Sequence, residues 1–302
     1  MRILFITSNR LGDAVLSTGL LDHLIRTYPQ SRITIVCGPV AEGLFTRMPN
    51  RARTIILQKQ SFGRHWLPLW VSTVTTAWSL VVDIRASAMA YLVPTRRRAV
   101  FRRAEGPKIA QLAAMLRLSP PPLPVAWFND ADTARATALL PPGRPVIALA
   151  PTANWPPKVW PADRFAELFR DLTAGILPGA VPVVLGGDGP TEVAMAAPLL
   201  AALPHAVDLT GRLTLPEVSA VLARATLFVG NDSGLMHMAA ATGAPTVGLF
   251  GPTDAATYGP AGPWATAVVA ADGSMAGISV TQVANAARTL LSRPARPSLV
   301  RA

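Results

Sequence analysis

An Asp-Ser-Gly loop with a histidine one helical turn later is the part of the sequence best suited to bind an anion. The loop, Asp232-Ser233-Gly234, follows an apolar run at 225–229 that is typical of a buried parallel strand, and apolar residues then recur at helical spacing. Free N–H groups and the positive dipole at a helix start suit a phosphate or pyrophosphate. His237 lies on the loop-facing side of this helix. A simple N-cap role for Asp232 or Ser233 also fits the loop taken alone.

A second acidic loop follows the first predicted strand, at residues 2–7. It ends in Gly12-Asp13, and an amphipathic helix continues to about Pro29. The loop lacks the G-x-G-x-x-G pattern, which argues against dinucleotide binding there. Asp13 would lie where ligands of open α/β sheets bind, or it would serve only as a helix cap.

Both loops belong to strand–loop–helix units, which predicts an α/β fold with parallel sheets. A chain of 302 residues suits two domains of about 150 residues each. A proline-rich segment at 140–145 precedes a fresh strand, so we expect the boundary near Pro141 to Arg144. The expected domains are residues 1–142 and 143–302. The predicted strands are 2–7, 33–36, 54–57, 80–84, 146–150, 181–185, 225–229 and 246–250.

The stretch from Val229 to Asp254 resembles the donor-site signature of glycosyltransferase family 9, the lipopolysaccharide heptosyltransferases. The residues that fit the signature are Asn231, Asp232, Ser233, Gly234, His237, Gly251, Pro252 and Thr253. The resemblance implies a B-type glycosyltransferase fold, in which two Rossmann-like domains face each other across a cleft. The first domain would bind the acceptor and the second the nucleotide sugar, and the last helix, Val280 to Leu291, would pack back on the first domain.

The same resemblance assigns the site residues. Arg10, Gly12 and Asp13 fit the family's first loop, in which the aspartate is the catalytic base. Lys158, in the loop from Pro151 to Pro161, would bind the donor diphosphate, because the leaving nucleoside diphosphate gains charge. Val159 stands where the family often has arginine, and the loop is one residue shorter, so neighbouring contacts stay open. The implied donor-binding residues are Thr152, Lys158, Glu192, Leu213, Asp232, Ser233, Gly234 and His237.

One of these assignments keeps an alternative. Glu192 would hold the donor ribose, or it would only complement the dipole of the helix that it begins. Leu213 lies in a Leu-Thr-Gly-Arg-Leu segment similar to the family's nucleobase contact, and would be an apolar partner for adenine.

The basic residues concentrate in the first half, which we expect to meet the acceptor. Residues 1–144 hold 19 Lys or Arg and 7 Asp or Glu, whereas residues 145–302 hold 9 and 10. This asymmetry indicates an anionic partner or simple solubility. No nucleic-acid motif accompanies the charge, so nucleic acid is not an expected partner. The segment 83–87 loosely resembles the family's acceptor-side loop. The proposed acceptor-binding residues are Arg10, Arg85, Arg96, Arg97 and Arg98, although the last three would also fit a merely solvated cluster.

A repeat of large apolar residues marks the first half. Trp66, Trp70, Val74 and Trp78 recur every four residues and would form one helical stripe, either core packing or an aromatic face on a membrane interface. The longest apolar run, 66–82, contains a proline and is short for a bilayer span. We therefore expect a cytoplasmic protein that attaches peripherally to the inner leaflet of the inner membrane. The single Cys37 excludes an internal disulfide and indicates a small buried residue.

The resemblance thus implies an inverting glycosyltransferase that moves heptose from ADP-heptose to the lipopolysaccharide inner core. No Asp-x-Asp pair ends a strand, so we expect no metal and no cofactor besides the nucleotide-sugar donor. Two alternatives stay open. One is another sugar-nucleotide enzyme of the same fold, with a different donor or acting as a 2-epimerase. The other is a non-catalytic protein that binds the core.

Overall fold

The computed structural model describes residues 1–294 of the chain. Within them the chain divides into two compact units, Met1–Trp127 and Phe128–Ala302. Each unit is a parallel β-sheet with helices that connect successive strands, which confirms the predicted α/β class.

The first unit holds a five-stranded sheet in the order β3-β2-β1-β4-β5, with every neighbouring pair parallel. Four α-helices accompany the sheet. The strands are β1 (Arg2–Ile6), β2 (Arg32–Cys37), β3 (Arg51–Ile56), β4 (Leu80–Asp83) and β5 (Arg98–Val100). The helices are α1 (Leu11–Thr27), α2 (Trp66–Val74), α3 (Met89–Leu92) and α4 (Lys108–Ala114).

The second unit holds a six-stranded parallel sheet in the order β11-β10-β9-β6-β7-β8. Its strands are β6 (Val146–Ala150), β7 (Val181–Val184), β8 (Val207–Asp208), β9 (Leu227–Asn231), β10 (Thr246–Phe250) and β11 (Ala265–Val269). Its helices are α5 (Asp130–Leu139), α6 (Ala162–Ala174), α7 (Pro190–Ala202), α8 (Leu215–Arg224), α9 (Gly234–Ala241), α10 (Ala255–Tyr258) and α11 (Val280–Leu291).

Each sheet reverses its strand order once. In the first unit β2 and β3 lie on one side of β1, and β4 and β5 lie on its other side. In the second unit β7 and β8 lie on one side of β6, and β9, β10 and β11 lie on its other side. Ligands of open α/β sheets bind at the carboxyl ends of the two strands that flank such a reversal. Ligands are therefore expected at the loops after β1 and β4 in the first unit, and at the loops after β6 and β9 in the second.

Helix α6 of the second unit forms because its apolar residues recur on one face. In α6, Phe165, Leu168 and Leu172 are buried at this spacing, and they pack in one core with the sheet. Helix α11 begins at a capping box formed by Ser279 and Gln282. Its buried face belongs to the core of the second unit, which differs from the expected packing on the first domain.

The boundary between the units lies earlier than predicted. We expected it near Pro141 to Arg144, but the division falls after Trp127. Helix α5, which the sequence placed in the first domain, packs against α8 of the second unit. The proline-rich segment 140–145 is therefore a connection inside the second unit, between α5 and β6.

The predicted tryptophan stripe is only partly correct. Helix α2 ends at Val74, so Trp78 lies beyond it and is buried at an isolated bridge in the core of the first unit. Trp66 is half-buried against that core, whereas Trp70 is 37% exposed. Core packing therefore holds for Trp78 and Trp66, and the membrane role stays a prediction for the exposed Trp70.

Within residues 1–294, no helix combines the length and the apolar character that crossing a bilayer requires.

Candidate functional site

An ion pair joins the two loops at the strand reversal of the second unit. The Nζ atom of Lys158 lies 2.7 Å from Oδ2 of Asp232, and 18% and 9% of the two side chains are exposed. Lys158 ends a 3-10 turn after β6, and Asp232 follows β9 directly. A cation at this depth is balanced by its carboxylate and stays close enough to the surface to meet a ligand.

The loop that carries Lys158 is anchored by a tryptophan two residues later. The backbone N–H of Trp160 donates to Oδ1 of Asn231 at 3.0 Å, and the indole Nε1 donates to the carbonyl of Ile278, also at 3.0 Å. Trp160 is fully buried, with its ring edge against Phe165. Asn231 therefore fixes the position of the lysine loop from β9, a role that the sequence motif did not reveal.

A glutamate joins the next pair of loops along the same edge. The Glu192 carboxylate accepts a hydrogen bond from the N–H of Gly187 and another, at 3.3 Å, from Oγ1 of Thr152. A Cβ atom at Gly187 would lie 2.6 Å from the Glu192 carboxylate, so a side chain there would displace Glu192 from this hydrogen bond. Glu192 thus binds two neighbouring loops, and its helix-start position is not its only role.

Four buried polar atoms at this edge have no hydrogen-bond partner among residues 1–294. They all follow the carboxyl ends of strands: Oγ1 of Thr210, Nδ2 of Asn231, Oγ of Ser233 and Oγ1 of Thr253. Buried polar groups in folded proteins are almost always paired, with protein, water or a ligand. These atoms make the edge a polar surface that a bound ligand would satisfy.

The start of α9 does not show the simple capping arrangement that the sequence left open. Ser233 occupies the N-cap position, but its side chain makes no cap hydrogen bond. The Asp232 side chain is bound to Lys158 instead. Gly234, the first residue of α9, is half-buried, and His237 lies buried in the same turn. The capping interpretation is therefore wrong for both Asp232 and Ser233.

The predicted donor residues lie along one edge of one sheet. Asp232 follows β9, Thr152 and Lys158 follow β6, Glu192 follows β7, and the half-buried Leu213 follows β8. These four strands are consecutive neighbours in the sheet. The edge therefore offers, in order, a helix start, a cation, a carboxylate and an apolar side chain. This arrangement suits a ligand that has an anionic part and a flat apolar part.

In the first unit, Asp13 lies in the opening turn of α1. The helix begins at Leu11 and its N-cap position is Arg10, so Asp13 is the third helical residue and not the cap. Its Oδ2 accepts a hydrogen bond from Oγ of Ser8 at 3.4 Å, and the side chain is half-buried. This carboxylate keeps lone pairs available to accept a proton from a substrate.

The loop after β4 is built around a buried aspartate. Asp83 is fully buried and accepts from the N–H of Arg85 at 2.8 Å and from the N–H of Ser87 at 2.9 Å. Burial raises the pKa of Asp83 above its ordinary value, opposed by these hydrogen bonds and by the charge of Arg85. The Arg85 guanidinium donates to Oδ1 of Asn9 at 3.1 Å and lies 5.0 Å from the Trp66 ring. Arg85 thereby joins the loops after β4 and β1.

A lysine from α4 lies in the electrostatic field of Asp13. Burial and then Arg103 lower the pKa of Lys108, and the negative charge of Asp13 opposes them. Its ammonium group lies 3.7 Å from the centre of the Phe101 ring. The packing of α4 on α1 brings Lys108 towards Asp13.

The arginines predicted to bind the acceptor do not lie together. Arg85 and the exposed Arg10 lie at the carboxyl ends of β4 and β1, where Asp13 is. Arg96, Arg97 and Arg98 are exposed at the amino end of β5, which is the opposite edge of the sheet. The acceptor role of these three is therefore not supported, because in a parallel sheet the amino and carboxyl ends of the strands face opposite sides.

Comparison with known proteins identifies the family. The sequence profile of glycosyltransferase family 9 (heptosyltransferase) matches residues 86–286, about two thirds of the chain. The chain belongs to glycosyltransferase family 9. It is therefore an enzyme of glycosyl transfer. The match begins after the loop that carries Asp13.

Individual relatives agree with the family. Lipooligosaccharide heptosyltransferase 2 of Haemophilus influenzae is 27% identical over 300 residues, which cover 84% of each chain. A family 9 glycosyl transferase of Veillonella parvula superposes with a TM-score of 0.78 at 23% identity, covering 96% of this chain and 97% of the other. The ADP-heptose lipopolysaccharide heptosyltransferase II of Escherichia coli gives 0.77 at 23% identity, covering 96% and 98%. These structures share the fold, which confirms the predicted B-type class.

Proposed function

We propose that this family 9 enzyme transfers a heptose from ADP-heptose to the inner core of lipopolysaccharide, with inversion at the anomeric carbon. The relatives named above are heptosyltransferases of lipooligosaccharide and lipopolysaccharide, and one of them is named for ADP-heptose. The observation that carries the proposal is the half-buried Lys158–Asp232 ion pair at the strand reversal of the second unit. It holds a cation where the leaving diphosphate needs one.

The donor half of the reaction uses the second unit. As the bond between the sugar and the diphosphate breaks, its electron pair goes to a phosphate oxygen, which becomes more negative. Lys158 and the N–H groups that open α9 stabilise this charge, and the hydroxyl of Ser233 gains the partner that it lacks. Leu213 contacts the adenine, and Glu192 holds the ribose with the carboxylate oxygen that Gly187 and Thr152 do not occupy.

The acceptor half uses Asp13. A sugar hydroxyl attacks the anomeric carbon on the side opposite to ADP, and its proton passes to the Asp13 carboxylate. The new bond joins the acceptor oxygen to the anomeric carbon, and the bond to the phosphate oxygen breaks. Arg10 and Arg85 bind acidic groups of the acceptor, because guanidinium groups form paired hydrogen bonds with carboxylates and phosphates. Lys158 supplies the positive charge for departure, so no metal ion is required.

The acceptor is part of a lipid-linked saccharide, so we propose that the enzyme works in the cytoplasm on the inner leaflet of the inner membrane. It would attach peripherally to that surface.

The test is ADP release on mixing the enzyme with ADP-heptose and a lipid-free inner-core acceptor, with and without EDTA. The proposal expects ADP and a glycosylated acceptor in equal amounts, only when both substrates are present, and undiminished by EDTA. Isomerisation of the nucleotide sugar without acceptor would replace the proposal with an epimerase. Binding of the core without ADP release from any tested donor would replace it with a binding protein.

A further inference from the structure

The outward faces of α2 and α3 are apolar and open to solvent. Leu67 and Val71 on α2 are 64% and 58% exposed, and Tyr91 and Leu92 on α3 are 62% and 57% exposed. A helix at a water-facing surface normally has polar side chains on its outer side. Helix α2, whose sequence is WLPLWVSTV, has no charged residue on any side.

These side chains form one surface. The indole Nε1 of Trp70 on α2 donates to the carbonyl of Leu92 at 3.0 Å, which joins the two helices. Phe62 lies in the turn that leads into α2 and is 99% exposed, with a left-handed φ of 54°. The α2–α3 apolar face consists of Phe62, Leu67, Trp70, Val71, Tyr91 and Leu92. Exposed apolar area of this kind marks an interaction site.

Arginines border the α2–α3 apolar face. The Arg53 guanidinium donates to the carbonyl of Ser72, on α2, at 2.7 Å. The Arg98 guanidinium lies 5.6 Å from the centre of the Tyr91 ring. Arg64 is exposed and lies two residues before α2.

The charge of the surrounding segment has one sign. Residues 51–103 contain ten Lys or Arg and a single acidic residue, Asp83. Asp83 is fully buried. The segment therefore exposes cations and apolar side chains together and offers no exposed carboxylate.

We propose that the α2–α3 apolar face binds the surface of an anionic lipid bilayer, with its apolar side chains among the acyl chains and its arginines at the headgroup phosphates. Apolar side chains beside basic residues are the composition of interfacial membrane anchors. A second copy of this chain is a poor partner for the face, because two identical cationic borders would repel each other. The inference gives the peripheral attachment proposed above a location, and it is testable without any turnover.

The experiment measures co-flotation of the full chain with vesicles of phosphatidylcholine alone or mixed with phosphatidylglycerol, at low and high salt. We expect binding to the anionic vesicles only, decreasing as salt screens the arginines. A variant with Leu67→Ser and Val71→Ser should lose most binding. A variant with Arg53→Ser and Arg64→Ser should lose roughly five-fold for each arginine.

Matched controls remove the same groups elsewhere. Val40→Ser with Ile176→Ser removes two exposed aliphatic side chains outside the face, and Arg26→Ser with Arg135→Ser removes two exposed charges. Both controls should float as the wild type does. Melting temperature verifies that each variant folds, and ADP release with the lipid-free acceptor should be unchanged in all four.

Three results would overturn the proposal. One is equal flotation with neutral and anionic vesicles, and another is equal loss in the face variants and their controls. The third is a dimer in solution that becomes monomeric when Leu67 and Val71 are replaced, since the face would then be a protein interface. Failure of ADP release in the wild type would remove the proposed function and leave the vesicle results intact.

Discussion

The strand reversals of the two units have the same architecture but different electrostatics. In the second unit, a lysine after β6 and an aspartate after β9 form an ion pair at 2.7 Å. In the first unit, Arg85 after β4 instead binds the neutral Asn9 at 3.1 Å, and Asp13 has one long hydrogen bond from Ser8. One carboxylate is therefore committed to a cation, and the other is free to take part in proton transfer.

This difference separates two tasks that a glycosyltransferase must perform. In the proposed mechanism, the leaving diphosphate needs a fixed positive charge, and Lys158 of the ion pair with Asp232 supplies it. Accepting a proton needs a carboxylate that is not neutralised by a cation in direct contact. An aspartate after a strand can therefore serve either task. A lysine from the neighbouring loop makes it part of an ion pair, and without such a lysine it can accept a proton.

The largest effect is expected at the free carboxylate. Asp13→Asn keeps the size and the hydrogen bond from Ser8 but does not accept a proton, so turnover should fall by about 10²–10⁴-fold. Affinity for ADP, measured by calorimetry, and the melting temperature should stay near those of the wild type.

A matched control lies on the same helix. Asp22→Asn removes another carboxylate of α1, one paired with Arg26 at the surface, and should leave turnover unchanged. If the Asp13→Asn protein transferred sugar at the wild-type rate, Asp13 would not be the base that accepts the proton.

The next effect is expected at the cation. A hydrogen bond to a charged group contributes about 1.5–3 kcal/mol, so Lys158→Ala should weaken ADP binding roughly ten-fold or more and lower turnover. Arg288→Ala is the control, because Arg288 also forms an ion pair in the second unit, with Asp171 at 2.6 Å, but on helices α11 and α6. Unchanged ADP affinity together with unchanged turnover in Lys158→Ala would remove this residue from the donor site.

Replacing Asp232, the partner of Lys158, should lower stability without weakening the binding of ADP. Asp232→Asn leaves Lys158 without its carboxylate, so the free energy of unfolding should fall by about 1–3 kcal/mol. The same change makes the empty site more positive, so ADP should bind at least as tightly as to the wild type. Urea unfolding and calorimetry on one preparation check both statements. Weaker ADP binding, similar to that of Lys158→Ala, would show that the aspartate itself is needed to hold the nucleotide.

The regular elements were predictable from local patterns, and the reason is visible at particular residues. The bounds of β10 and α11 were predicted as they stand, because an apolar run ends at Gly251 in one case and a capping box begins at Ser279 in the other. Strand β9 continues to Asn231, although Gly230 and Asn231 resemble turn residues. Pairing with β6 and β10 on both sides overrides that local preference.

Contacts between residues far apart in the chain could not be predicted from the sequence. Lys158 and Asp232 are 74 positions apart, and no spacing rule brings them together. The family resemblance marked both as donor residues but did not indicate that they pair. The prediction of one helical stripe was wrong at Trp78 for a related reason. The spacing of four residues extends from Val74 to Trp78, but it carries no signal that the helix ends at Val74. Helix α5 was placed in the wrong domain because its packing on α8 leaves no local signal.

The smallest expected effect is on the free energy of unfolding and concerns Asp83, the buried aspartate at the end of β4. Burial raises the pKa of Asp83 above its ordinary value of 3.8. The folded state therefore holds this proton to higher pH than the unfolded state does, and the stability that Asp83 contributes is fully present below pH 3.8 and is lost as pH rises through the folded pKa. In Asp83→Asn this titration is absent. The free energy of unfolding of the wild type minus that of Asp83→Asn, from urea titrations at several pH values, should consequently fall as pH rises above 3.8. A difference that instead rises over this range would mean that the hydrogen bonds from Arg85 and Ser87 outweigh burial. Asp83 would then be a carboxylate that the folded state stabilises in its charged form.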